Sequence, residues 1–375
     1  MRVLHLFDSH AGWEQRVAVG QLIDRLAPER HVQILASLDG RVPSGKWFDG
    51  SSVIRVPERF SLPILAAPAL RRLIADRSID VTQVWGPRAL RAAAAARGRR
   101  GSLVLWQSDP YIPESEAKLF RSLADAGSFA VSCSCATVQR RLIEKGISPE
   151  RCVVIRPGVD FGRINAAKKN DGLRQRLGLT PDQRAVVASE PVSRRGGHER
   201  VVWAGQLRYL LEPSSRLIVF GESREFGRLK RLSSPMPYST GIIWAGSEYR
   251  YEDLVATADA LVVAALDDVS TTSIAWAMAA GVPIVASAVY AVAELIAHKH
   301  NGLLIKPEPG QPMAVRIAAA LSKIDSMGQE KQRARSQAYE VFSVRRFADQ
   351  HAQLYENLTA GAPPSTNITD SAIEQ

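Results

Sequence analysis

Val81-Thr82-Gln83-Val84-Trp85-Gly86-Pro87, the alanine-rich run at about 88–98, and Leu103-Val104-Leu105-Trp106 read in order as strand, helix and strand. The first and last segments are short, apolar and rich in β-branched or aromatic residues. Gly86-Pro87 ends the first strand and sets the opening φ of the helix. Two strands joined by one helix must run parallel, with a right-handed crossover. That reading decides the fold, and the alternation extends in both directions from it.

Toward the amino terminus, residues 2–7 and 32–35 are strand-like, as is Val53-Ile54-Arg55-Val56. Val17, Leu22, Ile23 and Leu26 have the 3–4 spacing of a buried helix face, and a second helix is expected at about 67–77. Toward the carboxyl terminus come a helix at 115–126, a strand at Ser128 to Cys133 and a helix at 136–145 closed by Gly146. The pattern breaks at Val153 to Asp160, and Lys168-Lys169-Asn170-Asp171-Gly172 is the best linker. Beyond it the alternation restarts. Strands are expected at 185–188, 216–220, 242–244, 260–264, 283–286 and 303–305, with helices at about 198–210, 225–232, 251–257, 271–280, 311–323 and 340–358. The expected fold class is therefore α/β, with two Rossmann-like doubly wound parallel-sheet domains facing across a cleft. The first would cover 1–165, with the helix at 340–358 packing back on it. The second would cover 166–339, and 359–375 would form a disordered tail.

Composition narrows the function. The 375 residues are 46% hydrophobic and 23% charged, those of an ordinary globular protein, and too long for one core. Three clustered cysteines, Cys133, Cys135 and Cys152, lack CxxC spacing. They read as buried thiols in a reducing cytoplasm. No apolar run approaches a membrane span, and the start lacks a charged-then-apolar leader, so secretion is not expected. The net charge is +10, and residues 1–165 hold 24 basic against 16 acidic residues. Its densest stretch holds Arg71, Arg72, Arg77, Arg88, Arg91, Arg97, Arg99 and Arg100. A basic half fits an anionic partner, whether phospholipid surface or phosphorylated substrate, or else a solvated arginine-rich face. Nucleic acid is not expected, because no aromatic–basic module accompanies the charge.

Several reaction classes lose their motifs. There is no GxGxxG after the first strand, no GxxxxGK[ST], no HExxH, and no G-x-S-x-G. His298 and His300, two apart on a connecting segment, read as solvent-facing residues and not as metal ligands. What remains is a set of strand-to-helix turns able to present N–H groups to an anion. Gly12 in Ala11-Gly12-Trp13 allows close backbone approach. Arg194-Arg195-Gly196-Gly197 adds two guanidinium groups, suited to a diphosphate. Asp267-Asp268-Val269-Ser270-Thr271-Thr272 offers hydroxyl caps and free amides. Each also reads as an ordinary helix start.

On further motifs the chain resembles the family 4 glycosyltransferases, retaining enzymes of the two-Rossmann GT-B architecture, over about 1–358. Ala258-Asp259-Ala260-Leu261-Val262-Val263 is similar to the family's ADxxVxPS strand, and Ala277 to Ser287 (AMAAGVPIVAS) to its EAMAAGxPVVAS block. Glu294-Leu295-Ile296 with Asn301-Gly302-Leu303-Leu304 resembles PEIV…NGLLV. Ile155-Arg156-Pro157-Gly158-Val159-Asp160 resembles VIPNGVD, and Gly12-Trp13-Glu14 the GGxE loop. The family's two donor-gripping glutamates fall on Asp268 and Trp276. Its diphosphate-holding Arg and Lys fall on Pro191 and Gly196, with Arg194 or Arg195 as neighbouring substitutes. Its active-site histidine would fall near Gln107-Ser108-Asp109, where none is present.

The resemblance implies transfer of a sugar from a UDP- or GDP-linked donor, with retention and without a metal or a further cofactor. Asp268 would sit near the sugar as the catalytic carboxylate. Gly12, Arg194, Arg195, Ser270, Thr271, Thr272 and Trp276 would surround the donor. Tyr249 or Tyr251 would stack on the base, and Ser108 and Asp109 would lie on the acceptor side. The acceptor would be a glycan, lipid-linked or other anionic molecule held by the basic half. The replaced motif residues also fit a catalytically degenerate protein that binds or scaffolds. Finally, Phe60 to Ala67 leads into a helix carrying Leu70, Arg71, Arg72, Leu73 and Ile74. That segment fits either an anionic membrane surface or ordinary packing on the sheet.

Overall fold

The structure, a computed structural model, describes residues 1–7, 11–38, 53–57, 62–97, 101–167, 172–188, 192–221, 223–234, 239–246, 249–307 and 309–364. Asp8 to His10, Phe60 and Ser61, Arg99 and Arg100, Lys168 to Asp171, Glu190 and Pro191, and the tail beyond Pro364 lie outside them. The chain divides into two compact units, Met1–Gly158 with Ser343–Gln375, and Val159–Phe342.

In the first unit the chain runs β1 (Arg2–Phe7), α1 (Trp13–Arg25), β2 (Val32–Ser37), β3 (Ile54–Arg55), α2 (Ala67–Asp76), β4 (Val81–Val84), α3 (Pro87–Ala96), β5 (Ser102–Gln107), α4 (Glu114–Asp125), β6 (Phe129–Cys133), α5 (Ala136–Glu144) and β7 (Cys152–Val154). Seven parallel strands form one sheet in the order β3-β2-β1-β4-β5-β6-β7. β4 and β6 are buried along their whole length, as strands covered by helices on both faces must be. All three cysteines are buried in this unit as thiols outside any disulfide. The unit leaves off at Gly158. A Cβ there would lie 2.8 Å from Gln21 Oε1 and 3.0 Å from Val344 Cα, while Gln21 Nε2 donates to Gly158 O at 2.9 Å.

The second unit runs α6 (Phe161–Ala167), α7 (Gly172–Arg176), β8 (Arg184–Ala188), α8 (His198–Leu211), β9 (Ser215–Phe220), α9 (Arg224–Ser233), β10 (Ile242–Gly246), α10 (Tyr251–Ala256), β11 (Ala260–Val263), α11 (Thr272–Ala280), β12 (Ile284–Ser287), α12 (Tyr290–Ala293), β13 (Leu303–Ile305), α13 (Met313–Leu321) and α14 (Gly328–Val341). Its six parallel strands are ordered β10-β9-β8-β11-β12-β13. The reversal beside β8 places the carboxyl ends of β8, β11 and β12 side by side, where ligands of such sheets sit.

The chain then returns to the first unit as α15 (Val344–Thr359). The units thus exchange chain at Gly158 and Phe342, not at 165 and 339. Residues 159–165, assigned from sequence to the first domain, belong to the second unit, where most of them open α6. Sequence reading also passed over α14, because its only buried residues are Ala334, Ala338 and Val341, too weak an apolar stripe to register. It is made helical by packing on α11. Beyond Thr359, Ala362 N–H closes on Asn357 O at 2.8 Å, so residues 360–362, expected in the tail, are held against the end of α15. Among the described residues, no helix is long and apolar enough to cross a membrane.

Candidate active site

Three loops of the second unit are stitched together where β8, β11 and β12 end. In the β8–α8 loop, Gly196 N–H donates to Ser193 Oγ at 2.9 Å, and Gly197 N–H to Arg194 O at 3.0 Å. This tight turn puts Gly197 at φ +69, and a Cβ there would lie 1.8 Å from Ala264 O. The β8–α8 loop therefore lies directly on the end of β11. Leu266 N–H donates to Arg195 O at 2.7 Å, and Arg195 Nη2 donates back to Asp268 O at 2.6 Å. Asp268 joins the third loop, its Oδ1 accepting Ala291 N–H at 2.8 Å. No tertiary bond of this kind is readable from a linear motif, although the Gly-Gly and the Glu294-Leu295-Ile296 block lie beside these contacts.

This arrangement separates residues that sequence reading had grouped. Arg194 has a side chain 73% exposed, with the Glu225 carboxylate 3.8 Å away. Arg195 is tied into the loops and lies 4.0 Å from the Asp267 carboxylate. Of the two, Arg194 presents its guanidinium outward and Arg195 holds the scaffold. Asp268 is only 2% exposed, and one carboxylate oxygen is committed to Ala291. Through that bond Asp268 orients the β12–α12 loop. Ser270, Thr271 and Thr272 are buried. Ser270 Oγ and Thr272 Oγ1 lie 3.2 Å apart, and Thr272 N–H reaches Ser270 Oγ at 3.4 Å. Those hydroxyls pair locally at the start of α11.

Two further assignments change. Trp276 is fully buried in α11, all of whose residues are buried, so its ring offers no surface to a donor. Its indole Nε1 has no hydrogen-bond partner among the described residues. Tyr251 is also fully buried. Its hydroxyl donates to Ser273 O at 3.0 Å and its ring packs on Phe220 with centroids 5.5 Å apart. A ring enclosed in this way cannot stack on a base. Tyr249 is half-buried, with its hydroxyl 3.5 Å from Arg176 O. The exposed aromatic beside the loops is one the sequence did not single out, Tyr290, 68% exposed and adjacent to Ala291.

The remaining assigned residues belong to the first unit. Gly12 caps α1 in extended backbone, its carbonyl accepting Arg16 N–H at 3.2 Å. At the end of β5, Ser108 is buried and its carbonyl accepts from Ser134 Oγ at 3.2 Å. Asp109 Oδ1 accepts Tyr111 N–H at 2.9 Å, and Gln107 Nε2 donates to Asp109 O at 2.7 Å, a side-chain-closed turn. His298 and His300 are exposed, and His298 Nδ1 accepts Leu304 N–H at 3.0 Å.

Comparisons with known proteins place the chain in a family. Residues 15–163 match the family model described as Glycosyltransferase Family 4, and residues 170–341 that described as Glycosyl transferases group 1. No curated protein matches the sequence. Among solved structures, Anabaena Alr3699/HepE in complex with UDP and glucose is 19% identical, with a TM-score of 0.77 over 95% of this chain and 100% of that one. Sucrose-phosphate synthase from Thermosynechococcus elongatus is 16% identical, with a TM-score of 0.73 over 96% and 100%. WaaG, a glycosyltransferase involved in lipopolysaccharide biosynthesis, is 17% identical, with a TM-score of 0.68 over 95% and 99%. Two parallel α/β units of this kind are those of the GT-B architecture. The chain is therefore a glycosyltransferase, with a Family 4 domain in its first half and a group 1 domain in its second.

Proposed function

We propose that the enzyme transfers a hexose from a nucleoside-diphosphate donor, with retention, and meets the diphosphate charge without a metal ion. One observation carries this reading. The loops ending β8, β11 and β12 are locked together through Arg195, and they leave Arg194 projecting from that edge. A guanidinium held by a rigid loop is suited to a diphosphate. In the reaction, the bond from C1 to the diphosphate oxygen breaks and the acceptor oxygen bonds to C1. The acceptor's proton leaves with the departing diphosphate. The relatives bound to UDP and UDP-glucose favour a UDP-linked sugar over a GDP-linked one.

A thermal-shift panel of UDP- and GDP-sugars tests the donor. A donor at 100 times its dissociation constant stabilises by about 2.7 kcal/mol, and a flat response to every donor would overturn the reading. Arg194→Ala should weaken donor binding by roughly tenfold to a hundredfold, the worth of a charge-assisted hydrogen bond, while leaving the melting temperature unchanged. Arg195→Ala should lower both. Turnover undiminished by a chelator, with product of the donor's anomeric configuration by NMR, checks metal independence and retention.

The alternative, a binding or scaffold protein, draws on the burial of Trp276. Trp276→Glu cannot test it, because an unpaired carboxylate in the core would cost several kcal/mol. The discriminating measurement is release of nucleoside diphosphate by the wild-type protein in the presence of acceptors.

The first unit fits an anionic membrane surface. Ahead of α2, a single turn at Pro63–Ala66 turns Leu62, Ile64 and Leu65 outward, with Ile64 58% exposed. Arg71 and Arg72 are exposed on the helix that follows. Apolar side chains beside exposed arginines suit a lipid headgroup layer. The unit should cosediment with anionic liposomes, release them at high salt, and lose at least tenfold in affinity with Ile64→Asp. Absence of binding at low salt would reject membrane contact.

A further inference from the structure

We infer that the outer face of α8 is a binding groove for an anionic amphiphile, a single phosphate- or carboxylate-headed molecule with an alkyl chain. Helix α8 is flanked by α13 and α9, and Val201, Val202, Ala204 and Gly205 face inward. Its outward residues are unusually apolar. Trp203 is 39% exposed, Leu207 is partly buried, and Leu210 and Leu211 are exposed. They repeat at helical spacing along one side. Leu266, Met313 and Val315 form the wall, and the groove encloses about 690 Å³. That volume is within the range of small-molecule sites. The groove follows α8 from Arg200 to Leu207, about 10 Å at the helical rise per residue, and the exposed Leu210 and Leu211 continue the apolar side beyond it, room for a medium-length alkyl chain.

Charge at one end specifies the head group. Arg194, Arg200 and Arg228 line the groove with Glu199. Arg228 is committed to Glu225 at 2.6 Å and Glu199 at 3.1 Å, and Arg194 faces Glu225. The Arg200 guanidinium, by contrast, has no ion pair or hydrogen bond among the described residues, the residue's backbone N–H alone donating, to Gly197 O at 2.9 Å. An apolar trough closed by one uncompensated guanidinium matches a chain with one anionic end, and neither a neutral lipid nor a bare anion uses both parts. The donor loop ends beside this groove at Arg194, but Arg200 and Trp203 have no part in the proposed donor contacts.

Titration calorimetry with decyl phosphate, below the concentration at which it forms micelles, tests the inference. Saturable one-to-one binding is expected. Arg200→Gln and Trp203→Ala should each weaken it at least tenfold without lowering the melting temperature, since neither side chain supports the core. Inorganic phosphate and decanol should each bind at least tenfold more weakly than decyl phosphate. Three results would overturn the inference. These are no saturable binding, binding undiminished in both variants, or inorganic phosphate binding as well as the amphiphile. A concentration-dependent dimer that dissociates with Trp203→Ala would also overturn it, by assigning the face to a second copy of the chain.

Discussion

Gly197→Ala should abolish donor binding and destabilise the second unit by more than about 4 kcal/mol, a loss reserved for specific structural faults. Two costs combine. Backbone at φ +69 disfavours any residue with a Cβ, by roughly 1–2 kcal/mol. The larger cost is steric, because the new methyl would lie 1.8 Å from Ala264 O and 2.6 Å from Ala264 C. Those are backbone atoms of the neighbouring loop and cannot rotate away. To accept the methyl, the β8–α8 loop must separate from the end of β11, breaking the Leu266–Arg195 and Arg195–Asp268 hydrogen bonds together. Gly178→Ala is the control. Gly178 has φ +71 but nothing within 4 Å of its Cβ position, so it should show only the conformational cost. Denaturant unfolding and donor thermal shifts measured on both variants separate the two contributions. A Gly197→Ala protein within about 1 kcal/mol of the wild type, with its donor response intact, would refute the close approach.

Acidification should progressively destabilise the first unit between about pH 6.5 and pH 4. Two histidines lie buried where α15 crosses the sheet. Trp85 Nε1–H donates to His5 Nδ1 at 3.3 Å, which leaves the His5 proton on Nε2 to reach Gln33 Oε1 at 3.0 Å. His351 Nδ1–H donates to Phe347 O at 2.8 Å, and its Nε2 accepts from Ser132 Oγ at 3.1 Å. Both rings are therefore neutral, and burial lowers each pKa from 6.5 to about 4. The groups facing them are Gln33, Trp85, Ser132, Phe347, Tyr355 and each other, with no carboxylate among the described residues to hold a proton in place. Protonating His5 would also set an Nδ1–H against the Trp85 N–H.

The unfolded chain takes up these protons near pH 6.5, whereas the folded chain resists until about pH 4. The unfolded state therefore binds more protons throughout that window. The stabilisation is complete above pH 6.5 and is lost as the pH falls toward 4, by about 3 kcal/mol for each ring. Urea unfolding at pH 7.5, 5.5 and 4.5 measures it, and a flat profile would refute it. His351→Asn keeps a donor for Phe347 O but cannot titrate, so it should remove about half of the acid sensitivity.

Much of the architecture was legible without coordinates because it rests on local chemistry. Val81 to Leu105 alternates strand and helix over short spans, and parallel pairing then follows from connection length. Gly146 closes α5 at φ +80, as a glycine at that place predicts. Helix α14 escaped because alanines at 334 and 338 make it a helix only against α11. The three donor-loop segments were also legible, as turns at the ends of strands. Which side chains they expose was not. Arg194 and Arg195 are adjacent and chemically identical, and only the position of Asp268 O decides which one is tethered. Tyr251 and Tyr290 are likewise the same residue at helix starts, one packed on Phe220 and the other left outside.

The sequence by itself determined two parallel α/β domains, a basic first half and the family motifs, all properties of order along the chain. The tertiary structure decided that the chain leaves the first unit at Gly158, that Asp268 and Trp276 are internal, and that Arg194 is the outward guanidinium. The physical reason is the same in each case. Burial and hydrogen bonding are settled between residues distant in sequence, as between Ser132 and His351 or Arg195 and Asp268, and no local pattern encodes which partner wins.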